Sequence, residues 1–184
     1  MRIRGAKCSV LLLAAGAMAF SAGAICAETP DLSGTWKLDE GASTIDPGVV
    51  FTGLGGHAGV PRTLYVTHAR NGTVIVGSDM NTSHARTYEP GAASRAPLGG
   101  EAATMTTFWD GATLMAEGLD IASQNGLRES LTRSKDGTTL VVEIVVTTDT
   151  GTSSSTLIYE ASTAEPPCVE WPTPCKDFSG NASQ

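Results

Sequence analysis

Short runs in which apolar and polar residues alternate recur along most of the chain. In residues 64–68 (LYVTH), 127–131 (LRESL) and 140–146 (LVVEIVV), apolar residues stand at alternate positions and so share one face, as Leu140, Val142, Ile144 and Val146 do. A period of two residues predicts β-strands that bury one face. No stretch shows a convincing amphipathic helical period. The pattern therefore predicts an all-β fold.

Turn dipeptides separate many of these runs. They are Asn71-Gly72, Asp110-Gly111, Asn125-Gly126 and Asp136-Gly137, and a fifth turn is expected at 149–151. Asn-Gly and Asp-Gly tolerate the positive φ angles that tight hairpin turns require. Consecutive hairpins favour an antiparallel up-and-down meander. About eight such strands could remove their exposed edges by closing into a barrel.

Two internal segments interrupt the predicted meander. Residues 39–62 are rich in glycine and are expected to form a loop that folds across an opening of the barrel. Residues 90–100 (PGAASRAPLGG) are expected to form a second loop. The tail at 165–184 contains four prolines and is expected to lie along the outside of the domain.

The first 27 residues have the features of a secretory signal. Arg2, Arg4 and Lys7 precede an apolar run at 10–20, and the segment ends in Ala27. We predict cleavage before Glu28 and a periplasmic or secreted protein. The apolar run is too short for a comfortable membrane span, and no other segment approaches the required length. Lipidation at Cys26 is disfavoured because Ile25 is large.

These observations divide the chain into a signal (1–27), a barrel domain (28–164) and a tail (165–184). The formal net charge of −7 becomes more negative once the basic signal is removed, which disfavours nucleic acid as a partner. Cys168 and Cys175 would then be the two cysteines of an exported chain. An even count in an oxidising compartment predicts a disulfide between them.

Several short motifs resemble those of one known family. Gly34-Thr35-Trp36 matches the Gly-x-Trp signature of lipocalins, and residues 32–39 (LSGTWKLD) resemble the opening of secreted bacterial lipocalin-like proteins. Trp109-Asp110-Gly111 and Lys135-Asp136-Gly137 follow in the order seen in those proteins. The resemblance implies a lipocalin-like barrel of about eight strands that can hold one small ligand, with Trp36 plugging its closed end. The last predicted strand contains no arginine that could stack on Trp36.

Glu129 is the most informative candidate for a binding role, because alternation places it on one face with Leu127 and Leu131. If that face points inward, a carboxylate with a raised pKa lies in an apolar interior and could hold a ligand or act as a base. Alternatively, Glu129 faces outward or pairs with Arg128 or Arg133 at the rim. The predicted ligand-binding residues are Glu129, His68, Trp109, Leu64, Leu131 and His57.

Other kinds of site find little support in the sequence. His57, His68 and His84 include no closely spaced pair, so we predict no metal site, and no cofactor is implied. Residues 53–58 match G-x-G-x-x-A, but Pro61 and the following strands exclude the helix that a dinucleotide site needs. The sequence contains no G-x-S-x-G elbow.

Three functions remain at this point. The leading one is an exported barrel that binds a small, partly apolar molecule. The second is an envelope interaction or structural module that works through the tail. The third is a small isomerase or hydrolase that uses Glu129 with His68, although the sequence assigns no catalytic residue.

Overall fold

A computed structural model describes residues 29–46, 49, 60–69, 71–80, 85–98, 101–119 and 125–165. These residues form ten β-strands and no helix, which confirms the all-β prediction. The strands are β1 (Gly34–Leu38), β2 (Thr63–His68), β3 (Val74–Ser78), β4 (Arg86–Tyr88), β5 (Ala93–Leu98), β6 (Glu101–Asp110), β7 (Thr113–Leu119), β8 (Gly126–Arg133), β9 (Thr139–Thr148) and β10 (Gly151–Ser162).

The strands form one antiparallel sheet that curls into a nearly closed barrel. Its order is β4-β3-β2-β1-β10-β9-β8-β7-β6-β5, so the first and last strands of the meander pair with each other. The two strands at the ends of this order, β4 and β5, are joined by the short turn 89–92. Gly91 N–H donates to the Thr107 carbonyl of β6 at 2.8 Å, which holds this turn against the opposite end of the sheet.

Most of the predicted turns are confirmed. Gly72, Gly111 and Gly137 adopt positive φ angles of 85°, 58° and 75° at hairpin turns. The prediction for Asn125-Gly126 is wrong, because Gly126 is already the first residue of β8 and pairs with Leu119 of β7. The expected turn at 149–151 joins β9 to β10.

Two strands were not expected, and they raise the count from about eight to ten. Ala93–Leu98 forms β5, where we expected a loop, because the whole segment pairs with β6. Pro97 is compatible with β5 because this strand has a neighbour on one side only and needs no donor on the other. Arg86–Tyr88 forms the short β4 beside β3.

Alternation places one face of each long strand in a common core. Leu140, Val142 and Ile144 of β9 are buried on that face, whereas Glu143 is exposed. Leu157 and Tyr159 of β10 continue the core, as do Leu64 and Val66 of β2. Burial of this apolar surface is the main force that holds the barrel together.

The long connection from β1 to β2 follows β10 before it reaches the core. Thr44 pairs with Thr156, and Asp46 N–H donates to Ser155 Oγ at 2.9 Å. Val49 is buried in the core, and the Pro61 carbonyl accepts a hydrogen bond from Tyr159 at 3.0 Å. The described parts of residues 39–62 are therefore tied to the barrel at both ends.

Several predictions fall outside the described residues: the signal at 1–27, His57, His84, and the tail with Cys168 and Cys175. Within the part of the chain that the structure describes, no helix has the length and hydropathy needed to cross a membrane.

Candidate functional site

One end of the barrel, where β1 begins and β8 ends, is closed by the residues that precede β1. Leu32 is fully buried there, and its carbonyl accepts a hydrogen bond from Trp36 Nε1 at 3.1 Å. Arg133 of β8 lies over the Trp36 ring, with its guanidinium carbon 5.3 Å from the ring centroid, and Nη1 donates to the Asp31 carbonyl at 2.8 Å. An arginine therefore does stack on Trp36, but it comes from β8 and not from the last strand.

His68 and Trp109 lie at this closed end and contact each other, with ring centroids 6.3 Å apart. His68 Nε2 accepts a hydrogen bond from the Leu32 N–H at 3.0 Å. Burial lowers the pKa of His68, and the nearby charge of Asp31 opposes this shift. A neutral ring is the form that can accept this bond. These contacts join β2 to the closing segment.

A second group of polar side chains, which we call the interior polar cluster, consists of Arg86, Tyr88 and Glu129. Tyr88 Oη donates to Glu129 Oε2 at 3.1 Å, and Arg86 Nη2 lies 3.6 Å from the same oxygen. The Arg86 guanidinium also lies over the Tyr88 ring at 5.0 Å. The cluster joins β4 to β8 inside the barrel, because all three side chains are almost completely buried.

The electrostatics of the cluster reflect this burial. Burial raises the pKa of Glu129, while the positive charge of Arg86 and the hydrogen bond from Tyr88 act in the opposite direction. Burial and the charge of Glu129 raise the pKa of Tyr88, so its hydroxyl stays protonated. A buried charge is costly unless it is paired and hydrogen-bonded. Arg86 and Tyr88 are therefore the groups that make an interior carboxylate at Glu129 tolerable.

Glu129 also belongs to a row of inward side chains that crosses five strands. We call this set the interior row: Thr107, Ala116, Glu129, Ile144 and Ser155 lie directly opposite one another from β6 to β10. All five are buried. Among the described residues, Glu129 Oε1 and Thr107 Oγ1 have no hydrogen-bond partner. The row thus holds polar atoms that the described part of the chain leaves without a hydrogen-bond partner.

The predicted ligand-binding residues separate into two places. Glu129, Leu64 and Leu131 are buried in the barrel interior, where alternation places Glu129 with Leu131. His68 and Trp109 lie together at the closed end, where they contact each other and His68 also contacts Leu32. Neither belongs to the interior polar cluster around Glu129. The sequence left open that Glu129 pairs with Arg128 or Arg133. Its cationic partner in the structure is Arg86.

Sequence reasoning missed Arg86, Tyr88 and Thr107. Arg86 and Tyr88 alternate with Thr87 just before the turn at 89–92, but the segment has no apolar residue to indicate an inward face. Thr107 resembles the exposed threonines beside it until the register with Ala116 and Glu129 is known.

A separate depression of about 310 Å³ lies on the barrel surface beside β7, β8 and β9. Its lining includes the exposed side chains of Glu117, Arg128 and Thr147, and none of the predicted ligand-binding residues contributes to it. Its polar side chains therefore have solvent as a partner, unlike those of the interior row. In the described part of the chain, no three His, Cys, Asp or Glu residues lie close enough together to hold a metal ion.

No model of a known protein family matches this chain, and no curated protein is significantly similar to it in sequence. The function must therefore be inferred from the contacts within the barrel.

Proposed function

We propose that this chain is an exported, lipocalin-like barrel that binds a small, partly apolar molecule in its interior. The observation that carries the proposal is the interior polar cluster. Glu129 is only 1% exposed and one of its oxygens has no donor among the described residues. Leaving a buried acceptor unsatisfied costs roughly 1–3 kcal/mol, so a core selected only for stability would avoid it.

The surroundings of the cluster suit a ligand with an apolar body. Leu64, Leu131 and Ile144 are buried in the same interior. Ligand sites typically combine apolar walls with a few polar groups that fix orientation. The proposed site therefore uses the apolar interior for affinity and the cluster for orientation.

The long β1–β2 connection supports the same function. Its described residues are held along β10 by Asp46, and Val49 joins the core. The described part of this connection therefore belongs to the barrel wall around the proposed site. The opening motif around Trp36 and the predicted signal add support for an exported lipocalin-like protein.

Native mass spectrometry of protein purified under mild conditions tests the proposal. We expect a mass above that of the chain, with the excess removed by organic extraction. The Arg86→Met/Glu129→Leu double variant should purify without this excess, whereas Glu143→Gln, on the exposed face of β9, should retain it. Wild-type protein that carries no small molecule and binds none from an envelope extract would contradict the proposal.

The export part of the proposal needs its own measurement. Expression of the whole gene in a bacterial host with fractionation should place the protein outside the cytoplasm, with Glu28 as its first residue. Peptide mapping without reduction should recover Cys168 and Cys175 in one linked peptide. Retention of residues 1–27 on the purified protein would contradict export.

A further inference from the structure

We infer that the interior site receives a hydroxyl group of its ligand over Ala116, between Glu129 and Thr107. This inference rests on the proposed binding function and names the chemical class of the ligand: a neutral molecule with an apolar body and an alcohol or phenol group.

The register of the interior row indicates where such a group would lie. Ala116 lies directly opposite Thr107 on one side and Glu129 on the other. Because neighbouring strands are about 4.8 Å apart, the backbones at Thr107 and Glu129 are separated by roughly 9–10 Å. Ala116 has the smallest side chain of the row and contributes only a methyl group between them. The two polar side chains therefore flank the smallest side chain of the row.

The two unsatisfied atoms define what the group must do. Glu129 Oε1 and Thr107 Oγ1 are both buried and without a hydrogen-bond partner among the described residues. A carboxylate oxygen accepts, and a threonine hydroxyl can donate or accept. A ligand hydroxyl over Ala116 could donate to Glu129 and accept from Thr107 at the same time. One small group would thus satisfy both atoms.

The charges of the cluster disfavour ionic ligands. Glu129 already lies beside the Arg86 guanidinium, so their charges balance inside the barrel. A ligand carboxylate could not donate to Glu129 and would be repelled by it. A ligand ammonium could donate to both orphan atoms, but it would add a second buried cation near Arg86. A hydroxyl adds no charge, and so avoids the cost of burying one.

Ser155 is a polar member of the interior row whose side chain has a hydrogen-bond partner within the protein. It is the third polar member of the row, and its Oγ accepts a hydrogen bond from Asp46 N–H. The long connection therefore satisfies one end of the row. It leaves Thr107 and Glu129 to another partner, and a single buried water is the alternative to a ligand hydroxyl.

Calorimetric titration of purified, delipidated protein with four matched probes separates these possibilities. The probes are 1-octanol, octyl methyl ether, octanoate and octylamine. We expect 1-octanol to bind about tenfold more tightly than the ether, which cannot donate. Both ionic probes should bind more weakly than 1-octanol.

A substitution of nearly the same shape then tests the position of the hydroxyl group. Thr107→Val should reduce the affinity for 1-octanol about fivefold to tenfold, because it removes the hydroxyl that donates to the ligand oxygen. The affinity for the ether, whose oxygen can also accept from Thr107, should fall by no more than this. The matched control is Thr106→Val, at the exposed neighbouring position of β6, which should change neither affinity. Circular dichroism would establish that both variants are folded.

Each remaining result overturns the inference. Equal affinity for 1-octanol and its ether would mean that water fills the space over Ala116, while the proposed binding function would stand. Tightest binding of octanoate or octylamine would reject a neutral ligand. A Thr107→Val variant that binds 1-octanol as tightly as the wild type would reject the position. If none of the probes bound while the native protein carried a small molecule, the inference would fail and the proposed binding function would stand.

Discussion

The closed end and the interior polar cluster are built from similar residues but differ in how completely they are satisfied. At the closed end, Arg133, Trp36 and His68 each have a backbone partner in the segment that precedes β1. In the interior, Arg86 and Tyr88 share one oxygen of Glu129, and the other oxygen has no partner among the described residues.

This difference is the reason why we assign a structural role to the closed end and propose a binding role for the interior polar cluster. A fully bonded group of polar side chains can fix the position of a chain segment and needs nothing from outside. A partly bonded group inside a core costs stability unless another molecule completes it. We therefore expect changes at the closed end to act on folding, and changes in the cluster to act on both folding and binding.

The largest effect is expected for Arg86→Met. This variant leaves the Glu129 carboxylate buried with no cation beside it, which should lower the free energy of unfolding at neutral pH by about 3–5 kcal/mol. Urea denaturation would measure the loss. Arg128→Met, on the exposed face of β8, should change stability by no more than about 0.5 kcal/mol.

The cost of Arg86→Met should be reversible by a second substitution. Adding Glu129→Leu removes the stranded charge, so the double variant should recover most of the lost stability while it loses the small molecule. If the double variant were as unstable as the single one, the ion pair itself would stabilise the fold. The proposed difference between the closed end and the interior polar cluster would then be wrong.

Glu129→Gln should change the pH dependence of stability more than stability itself, because the amide can still accept from Tyr88. In the wild type the pKa of Glu129 is raised by burial, so the folded state holds its proton more firmly than the unfolded chain. Protonation of Glu129 therefore contributes to the free energy of unfolding. This contribution is complete below about pH 4.5 and is lost as the pH rises through the folded-state pKa of Glu129.

Urea denaturation of wild type and Glu129→Gln across this pH range measures that effect. Relative to the wild type, the variant should become more stable as the pH rises above about 4.5. Glu143→Gln is the control, because Glu143 is exposed. Parallel pH profiles for Glu129→Gln and the wild type would contradict a raised pKa at this position.

At the closed end, Arg133→Met should cost about 1–2 kcal/mol, since it removes the cation over Trp36 and the bond to the Asp31 carbonyl. Its apolar stem can still cover the ring. The same variant should bind 1-octanol as tightly as the wild type. A Kd that rose as much as in Thr107→Val would show that the two regions are coupled.

Much of the barrel could be predicted because its strands follow one simple rule. In β8 and β9, apolar residues recur at alternate positions and a glycine turn separates the two strands, so the local sequence indicates both the strands and the face that they bury. The inward position of Glu129 follows from the same rule, because it shares a face with Leu127 and Leu131, which are both buried in the core.

The parts that could not be predicted depend on neighbours distant in sequence. β4 contains only Arg86, Thr87 and Tyr88, and its inward face is polar because Glu129, 43 residues from Arg86 and 41 from Tyr88, provides the partner. β5 contains Pro97 and is a strand only through its pairing with β6. Arg133 stacks on Trp36 across the barrel, which no local pattern encodes.

The smallest expected effect concerns His68, which is only partly buried. Burial lowers its pKa, so the unfolded chain binds a proton more readily than the folded protein. Stability should therefore fall as the pH drops below about 6.5 and level off below the folded-state pKa of His68.

NMR titration of the His68 ring should give a pKa below 6.5. Asp31→Asn should lower it further, because the charge of Asp31, 3.9 Å away, favours the protonated ring. A raised pKa would instead mean that the fold favours the protonated ring, which cannot accept from the Leu32 N–H, and the closed end would then contain an unsatisfied group of its own.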